Sequence, residues 1–245
     1  MKGIVLPSLW VAFAGDRPVA DEHDDPGHTT WGWKDDSLDK GYWYYSKLLR
    51  KRATFVSLEV IPYFYALSPN FGDPEQDYLI EYQEGKLTQE CKLIYEALLN
   101  EGPLDTITLR KKARLSNNLN EGRFNKALED LQTSLRVIPA GICDAGAWHY
   151  SYIYDCTHRR FPNLIDQAGQ ITEGAARDKL TTLYLASVGA ITLKEIERVF
   201  RWRAIDSQRS SQRLVDAGII HKGTCQDKPG EEWLTHTDFI HSGNV

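Results

Sequence analysis

Gly102-Pro103-Leu104-Asp105-Thr106 and Gly189-Ala190-Ile191-Thr192 are the two stretches whose reading decides the fold. Glycine tolerates a left-handed helix end, and proline cannot continue the helical hydrogen-bond ladder, so Gly102-Pro103 stops a helix. Asp105 then supplies the side-chain oxygen that caps the next one. In the second stretch Gly189 answers Gly102, Ile191 answers Leu104, Thr192 answers Asp105, and further on Ile196 answers Leu109. Equivalent signals at fixed offsets are what a repeated supersecondary unit leaves in a sequence.

Working outward from the first stretch, Leu87-Thr88-Gln89-Glu90 opens a helix in which Leu93, Ile94, Ala97 and Leu98 recur at helical spacing. Residues 107–115 form a second helix with Leu109 and Ala113 on one face, and Ser116-Asn117-Asn118-Leu119-Asn120 is a turn. A third helix at 121–134 carries Phe124, Leu128, Leu131 and Leu135 as one buried stripe. Alternating residues on either side of Asp144-Ala145-Gly146, ending in Trp148-His149-Tyr150-Ser151-Tyr152-Ile153-Tyr154, predict a β-hairpin. In the second copy the third helix falls at 206–217, with Leu214 and Val215 inward and Gly218 at its end. Its hairpin comprises Ile219-Ile220-His221-Lys222, a Pro229-Gly230 turn and Glu232-Trp233-Leu234-Thr235. The expected class is therefore α+β, mainly α. Tandem winged helix-turn-helix units at 86–165 and 166–245 follow a mainly helical segment at 1–85.

Such units are most simply explained by DNA binding. In a helix-turn-helix the early residues of the third helix reach base edges while neighbouring cations hold phosphates. The candidate contacts in the first unit are Arg110, Lys111, Lys112 and Arg114 on the second helix, with Arg123, Asn125 and Lys126 on the third. In the second unit they are Arg201, Arg203, Ser207, Gln208, Arg209 and Arg213. A solvated helix face is the alternative, partly supported by Glu121, Glu129 and Asp130. The formal net charge of −5 argues against nucleic acid at first sight. However, residues 1–36 hold seven acidic and three basic side chains, a net of −4, whereas 86–165 hold nine and eleven, a net of +2. Binding depends on the local footprint, and this one predicts modest, salt-sensitive affinity.

The 245 residues allow two or three small domains, and 42% hydrophobic with 26% charged residues is an ordinary globular composition. No apolar run reaches the roughly 18 residues of a membrane helix, and Met1-Lys2-Gly3-Ile4-Val5-Leu6-Pro7 lacks the pattern of a signal peptide. Cys91, Cys143, Cys156 and Cys225 have no CxxC spacing, so a reducing, cytoplasmic setting is expected, with no cofactor. Asp21-Glu22-His23-Asp24-Asp25-Pro26-Gly27-His28, followed by Trp31-Gly32-Trp33-Lys34-Asp35-Asp36, mixes carboxylates with imidazoles but has no recognised ligand spacing and reads as a solvated loop. A catalytic role for one of these carboxylates is conceivable, because cleaving a glycosidic bond calls for an acid or polar group near the sugar. A zinc site from Cys143, His149, Cys156 and His158 would require a strand parity that the sequence does not fix. Tyr42-Trp43-Tyr44-Tyr45-Ser46-Lys47-Leu48-Leu49-Arg50-Lys51-Arg52 interleaves aromatics with bases. Such a stretch can stack on unpaired bases, but Trp43, Leu48 and Leu49 near-match one helical face, and a packing helix with a basic end is the preferred reading.

Leu6-Pro7-Ser8-Leu9-Trp10, His23-Asp24-Asp25-Pro26, Trp31-Gly32-Trp33-Lys34-Asp35, Lys47-Leu48-Leu49-Arg50-Lys51-Arg52-Ala53-Thr54 and Pro62-Tyr63-Phe64-Tyr65-Ala66-Leu67 belong to a wider pattern. Together with Gly102-Pro103-Leu104-Asp105-Thr106, Gly122-Arg123-Phe124, Ala127-Leu128, Leu131-Gln132 and Ala145-Gly146-Ala147-Trp148, they resemble a short branch of the bacterial AlkZ-like (YcaQ-like) winged-helix proteins. The resemblance implies tandem winged helices and double-stranded DNA as partner. Characterised members are monofunctional DNA glycosylases that remove alkylated or crosslinked bases, using an N-terminal glutamine, one apolar residue, then glutamine or aspartate. That tripeptide is not found: Gln167-Ala168-Gly169-Gln170 has the wrong spacing, and Gln76-Asp77 and Gln226-Asp227 are adjacent pairs. Relatives are expected to extend upstream of Leu6, where the missing tripeptide would lie. The sequence thus favours a DNA-binding protein of this lineage, with a glycosylase and a protein-interaction module as the alternatives.

Overall fold

The structure is a computed structural model that describes residues 8–15, 17, 18, 25, 28–70, 72–146 and 149–241. In chain order the elements begin with α1 (Leu9–Ala14), α2 (Thr29–Asp35), β1 (Tyr44–Leu49), β2 (Arg52–Val56), α3 (Ile61–Tyr65) and α4 (Asp77–Gln83). Then come α5 (Gln89–Glu101), β3 (Leu104–Asp105), α6 (Thr106–Lys112), α7 (Glu121–Thr133), β4 (Val137–Cys143) and β5 (Ser151–Cys156). Two short helices follow, α8 (Thr157–Arg160) and α9 (Leu164–Gly169). The remainder comprises α10 (Glu173–Val188), β6 (Ala190–Ile191), α11 (Leu193–Phe200), α12 (Ala204–Asp216), β7 (Ile220–Cys225), β8 (Lys228–His236) and α13 (Thr237–His241). The protein is a mixed α and β structure, mainly helical, with small antiparallel sheets. Among the described residues no helix is long and apolar enough to cross a membrane.

The chain divides into two compact units, Trp31–Ile171 and a second that joins Met1–Thr30 to Thr172–Val245. In the Trp31–Ile171 unit, Thr88 caps α5 by accepting from the Cys91 amide, and the helix ends at Gly102, whose φ of 86° leaves its N–H bonded to the Leu98 carbonyl. Asp105 caps α6 by accepting from the amides of Ile107 and Thr108 at 2.9 and 3.1 Å. A 3₁₀ turn, Asn118–Asn120, leads into α7, which buries Phe124, Ala127, Leu128 and Leu131 against Ile94, Tyr95 and Leu98 of α5 and Leu109 of α6. Each of the Phe, Leu and Ile side chains so removed from water contributes roughly 1.5–3 kcal/mol. The sheet has the order β3-β5-β4, with Leu104 opposite Tyr154 and Val137 opposite Cys156.

The second unit repeats this order of elements. Thr172 caps α10 through the Ala175 amide, and Gly189, at φ 82°, ends it. Thr192 and Glu195 form a reciprocal capping box at the start of α11. The sheet order is β6-β8-β7, with Ile191 opposite Leu234 and Ile220 opposite His236. The turn of its hairpin is Gln226-Asp227, because Cys225 pairs with Lys228. Pro229-Gly230, expected as the turn, instead lies within β8 at a bulge, where the positive φ of Gly230 takes up the extra residues.

The N-terminal segment departs furthest from expectation. The stretch 42–52, expected as a packing helix with a basic end, instead supplies most of the β1–β2 hairpin at 44–56. Tyr44, Ser46 and Leu48 are buried while Tyr45 and Lys47 point to the other face, a period of two. The turn is Arg50-Lys51, both at positive φ, 52° and 58°. Strand β1 is held on α7: Ser46 Oγ donates to the Gln132 carbonyl, the Lys47 amide donates to Gln132 Oε1, and Thr133 Oγ1 donates to the Lys47 carbonyl. Lys51 Nζ lies 2.7 Å from Asp130 and 3.0 Å from Glu129. These long-range contacts outweigh the local helical pattern of Trp43, Leu48 and Leu49.

Candidate nucleic-acid interface

Helix α7 turns its apolar stripe inward, which leaves Arg123, Asn125 and Lys126 exposed on the opposite face. The Arg123 side chain is 71% exposed and only 3.8 Å from Glu90, a loose pairing that leaves the guanidinium open to solvent. On α6 and its end, Lys111 and Arg114 are also exposed, and Arg114 sits at a φ of 58°. The other two candidates of this helix have internal partners. Lys112 Nζ is 2.6 Å from Glu101, and the Arg110 guanidinium lies 5.7 Å from the Phe124 ring centre with Nε and one terminal nitrogen enclosed. Arg110 therefore packs over the core, as a long amphipathic side chain can.

In the second unit the candidates sort in the same way. Arg203 Nε donates to Asp206 at 2.7 Å and one of its terminal nitrogens at 3.0 Å, and this hydrogen bonding holds the Asp206 carboxyl below its ordinary range. Arg213 forks onto Asp178 of α10 at 2.8 and 2.7 Å. Ser207 is wholly buried, with 0% exposure, so its hydroxyl is not on the outer surface. What remains outward is Arg201, at the left-handed end of α11, and Gln208 and Arg209 on α12.

Beside Gln208 and Arg209 is a groove of about 450 Å³ lined by Leu193, Ser211, Gln212, Lys222 and Glu232 as well. It runs between α12 and the β7–β8 hairpin. Lys222 reaches Glu232 across the hairpin at 3.1 Å. Gln212 and Lys222 are not among the residues singled out by sequence reasoning. Gln212 lies one helical turn after Gln208, which is the signal that would have found it; Lys222 joins the groove only through strand pairing.

A second polar cluster lies in the Trp31–Ile171 unit, between α2 and β5. Lys34 Nζ donates to Tyr152 Oη at 2.7 Å and Tyr150 Oη at 3.1 Å and lies 2.9 Å from Asp35 Oδ1; Tyr150 Oη donates to the same Asp35 oxygen at 2.8 Å. Burial by itself would lower the Lys34 pKa, but the hydrogen bonds it donates to Tyr152, Asp35 and Tyr150 together outweigh it and raise it. The ammonium stays charged, while burial pushes the Tyr45 and Tyr152 phenols up and keeps them neutral. Sequence reasoning missed this cluster, because its members are more than a hundred residues apart in the chain.

The remaining candidates fall elsewhere. Residues 21–24, 26 and 27 of the acidic loop and 147 and 148 of the first hairpin lie outside the described residues. Asp25 pairs with Arg17 at 2.6 Å, and His28 stands edge-on to Trp10. Asp77 is buried and accepts from the amides of Gly72 and Asp73, which ties down the entry to α4. Among the described residues no three His, Cys, Asp or Glu side chains gather in a way that could hold a metal ion, so Cys143, His149, Cys156 and His158 form no such group.

Comparison with curated proteins gave no match, and comparison with solved structures gave none. The family model described as AlkZ related matches residues 2–201, which span the whole Trp31–Ile171 unit and continue through α10 and α11. The chain belongs to the AlkZ-related family.

Proposed function

We propose that this chain is a double-stranded DNA-binding protein of a DNA-repair lineage, built on tandem winged helices at 86–165 and 166–245 behind an N-terminal region at 1–85. The reading rests above all on the α12 groove, where Arg209, Gln208 and Gln212 on one helix face the Lys222 hairpin. A helix that offers donors beside a hairpin suits a duplex: the helix enters the major groove, and the hairpin, whose Lys222 is shared with Glu232 at 3.1 Å, lies along the phosphates. The exposed Arg123, Asn125, Lys126, Lys111 and Arg114 give the first unit a corresponding face. Arg110, Lys112, Arg203, Ser207 and Arg213 drop out of the footprint, since their side chains already have internal partners or are buried. On this reading the chain works in the cytoplasm, at the nucleoid.

The test is a duplex titration over a series of salt concentrations. Arg209→Ala is expected to weaken binding and lower the slope of log affinity against log salt by about one, the loss of a single phosphate contact. Arg213→Ala is expected to leave the slope unchanged, because its charge is already matched by Asp178. Absence of salt-sensitive duplex binding by the unaltered protein sinks the reading and favours a protein-interaction module. Family membership also supports a second reading, base excision. Strand breaks after cleavage of abasic sites in duplexes carrying alkylated or crosslinked purines would establish it.

A further inference from the structure

Ile205, Gln208, Arg209 and Gln212 recur at i, i+3, i+4 and i+7 on α12, so they share one face of the helix. All four are exposed, opposite the buried Ser207, Ser210, Ser211 and Leu214. A surface built only to hold phosphates needs several cations, and this face carries one, Arg209. Its other members are two amides and an isoleucine, side chains suited to the edges of bases.

Two of these side chains are uncommitted. Gln212 Nε2 donates to Asp216 at 2.7 Å, and Lys222 on the far side of the groove is paired with Glu232. Gln208 lines the same groove, and its amide has no hydrogen-bond partner among the described residues, so its donor and its acceptor are both open. Ile205, one turn earlier, keeps 45% of its surface in water. Asp216, which would repel a phosphate, lies at the other end of the helix. Three residues of helix advance about 4.5 Å, and neighbouring base pairs are about 3.4 Å apart. A helix laid along the major groove therefore brings Ile205 and Gln208 to the same base pair or to adjacent ones.

We propose that Gln208 and Ile205 read A·T pairs in the major groove of duplex DNA, which makes binding at α12 sequence-selective. The inference rests on the duplex-binding reading above and adds to it a choice of base pair. Adenine presents N7 as acceptor and the N6 amino group as donor, the complement of one glutamine amide, and thymine presents its C5 methyl to an apolar side chain. Guanine instead presents two acceptors, N7 and O6, so the amide carbonyl of Gln208 meets no donor there, and cytosine has no methyl. Arg209 beside them holds a phosphate and is indifferent to the base.

The test uses the full chain and short duplexes of alternating A·T sequence, in which every register offers the same pairs, with binding read by anisotropy. The unaltered protein is expected to bind this duplex about tenfold more tightly than an alternating G·C duplex of equal length. Replacing adenine by 7-deazaadenine removes only the N7 acceptor and should weaken binding about fivefold. Replacing thymine by uracil removes only the methyl and should weaken it about threefold. Gln208→Ala should erase the first difference and Ile205→Ala the second; both positions are exposed, so neither change disturbs the interior. Arg209→Ala should weaken every duplex alike and leave these ratios unchanged. Salt-sensitive binding that does not distinguish adenine from 7-deazaadenine overturns the proposal while the duplex-binding reading stands. So does either difference surviving in its own variant. Absence of duplex binding removes both.

Discussion

The third helices of the two repeated units, α7 and α12, occupy the same place in the same order of elements, yet their buried faces are chemically unlike. Helix α7 buries Phe124, Ala127, Leu128 and Leu131. Helix α12 buries Ser207, Ser210, Ser211 and Leu214. Ser210 meets a polar seam on α10, where its Oγ donates to Asp178 at 2.6 Å and lies 3.4 Å from the Thr181 hydroxyl. Arg213 closes the seam from outside on the same carboxylate. The two helices thus hold the same place between the preceding turn and the following hairpin on different interiors. The interior chemistry differs: the Ser210 hydroxyl is hydrogen-bonded, whereas those of Ser207 and Ser211 are buried with no hydrogen-bond partner among the described residues. The difference also bears on function: using Arg213 to close the seam leaves Arg209 as the outward arginine on α12.

The comparison can be broken at its apolar end first. Phe124→Ala in α7 should cost about 3–5 kcal/mol, through lost burial and the cavity left behind, read by urea denaturation. A cost below about 1 kcal/mol would mean that the first unit does not depend on its stripe. At the polar end, Asp178→Ala removes the acceptor of both Ser210 and Arg213 and should cost about 1–3 kcal/mol, discounted toward the lower figure because the arginine is half exposed. A neutral result there would show that the seam merely tolerates its serines. The smallest effect concerns the caps, which the two units share. Asp105→Ala and Thr192→Ala should each cost about 1 kcal/mol.

Of the two N-cap residues, Asp105 titrates and Thr192 does not. Burial raises the Asp105 pKa, but the hydrogen bonds from Thr108 and Ile107 together outweigh it, and the folded value falls below the ordinary 3.8. A depressed folded pKa means a contribution that is present above the unfolded value and lost as the pH falls through the folded one. Melting of the unaltered protein below about pH 4 should therefore fall more steeply than melting of Asp105→Asn, which keeps an acceptor at the cap without titrating. Parallel curves would remove Asp105 from the acid response.

Which candidate side chains face outward was legible in part, for a physical reason that varies residue by residue. Arg123, Asn125, Lys126 and Arg209 fall on outer faces because the apolar stripe of α7, and Leu214 on α12, fix which side turns inward. Arg110, Arg203 and Arg213 look identical to them in one dimension. Their partners, the Phe124 ring and the carboxylates of Asp206 and Asp178, come from helix geometry or from another helix. Ser207 reads as an exposed polar residue and is buried, because α12 meets α10 through small side chains instead of an apolar stripe. The β1–β2 hairpin was misread for a related reason. Its local pattern fits a helix, and its strand form depends on Gln132, Thr133, Asp130 and Glu129, all on α7.

The sequence by itself determined where helices start and stop. Gly102 and Gly189 end α5 and α10, Asp105 and Thr192 cap α6 and α11, and the stripe of α7 chose its inner face, since each of these acts within a turn or two of the backbone. Tertiary structure alone decided that residues 44–56 are a hairpin, that Gln226-Asp227 turns the second one, and that Lys34 meets Tyr150 and Tyr152. It also decided which arginines remain available to a ligand. Those outcomes depend on hydrogen bonds and charges between residues far apart in the chain, and a local pattern carries no record of its distant partner.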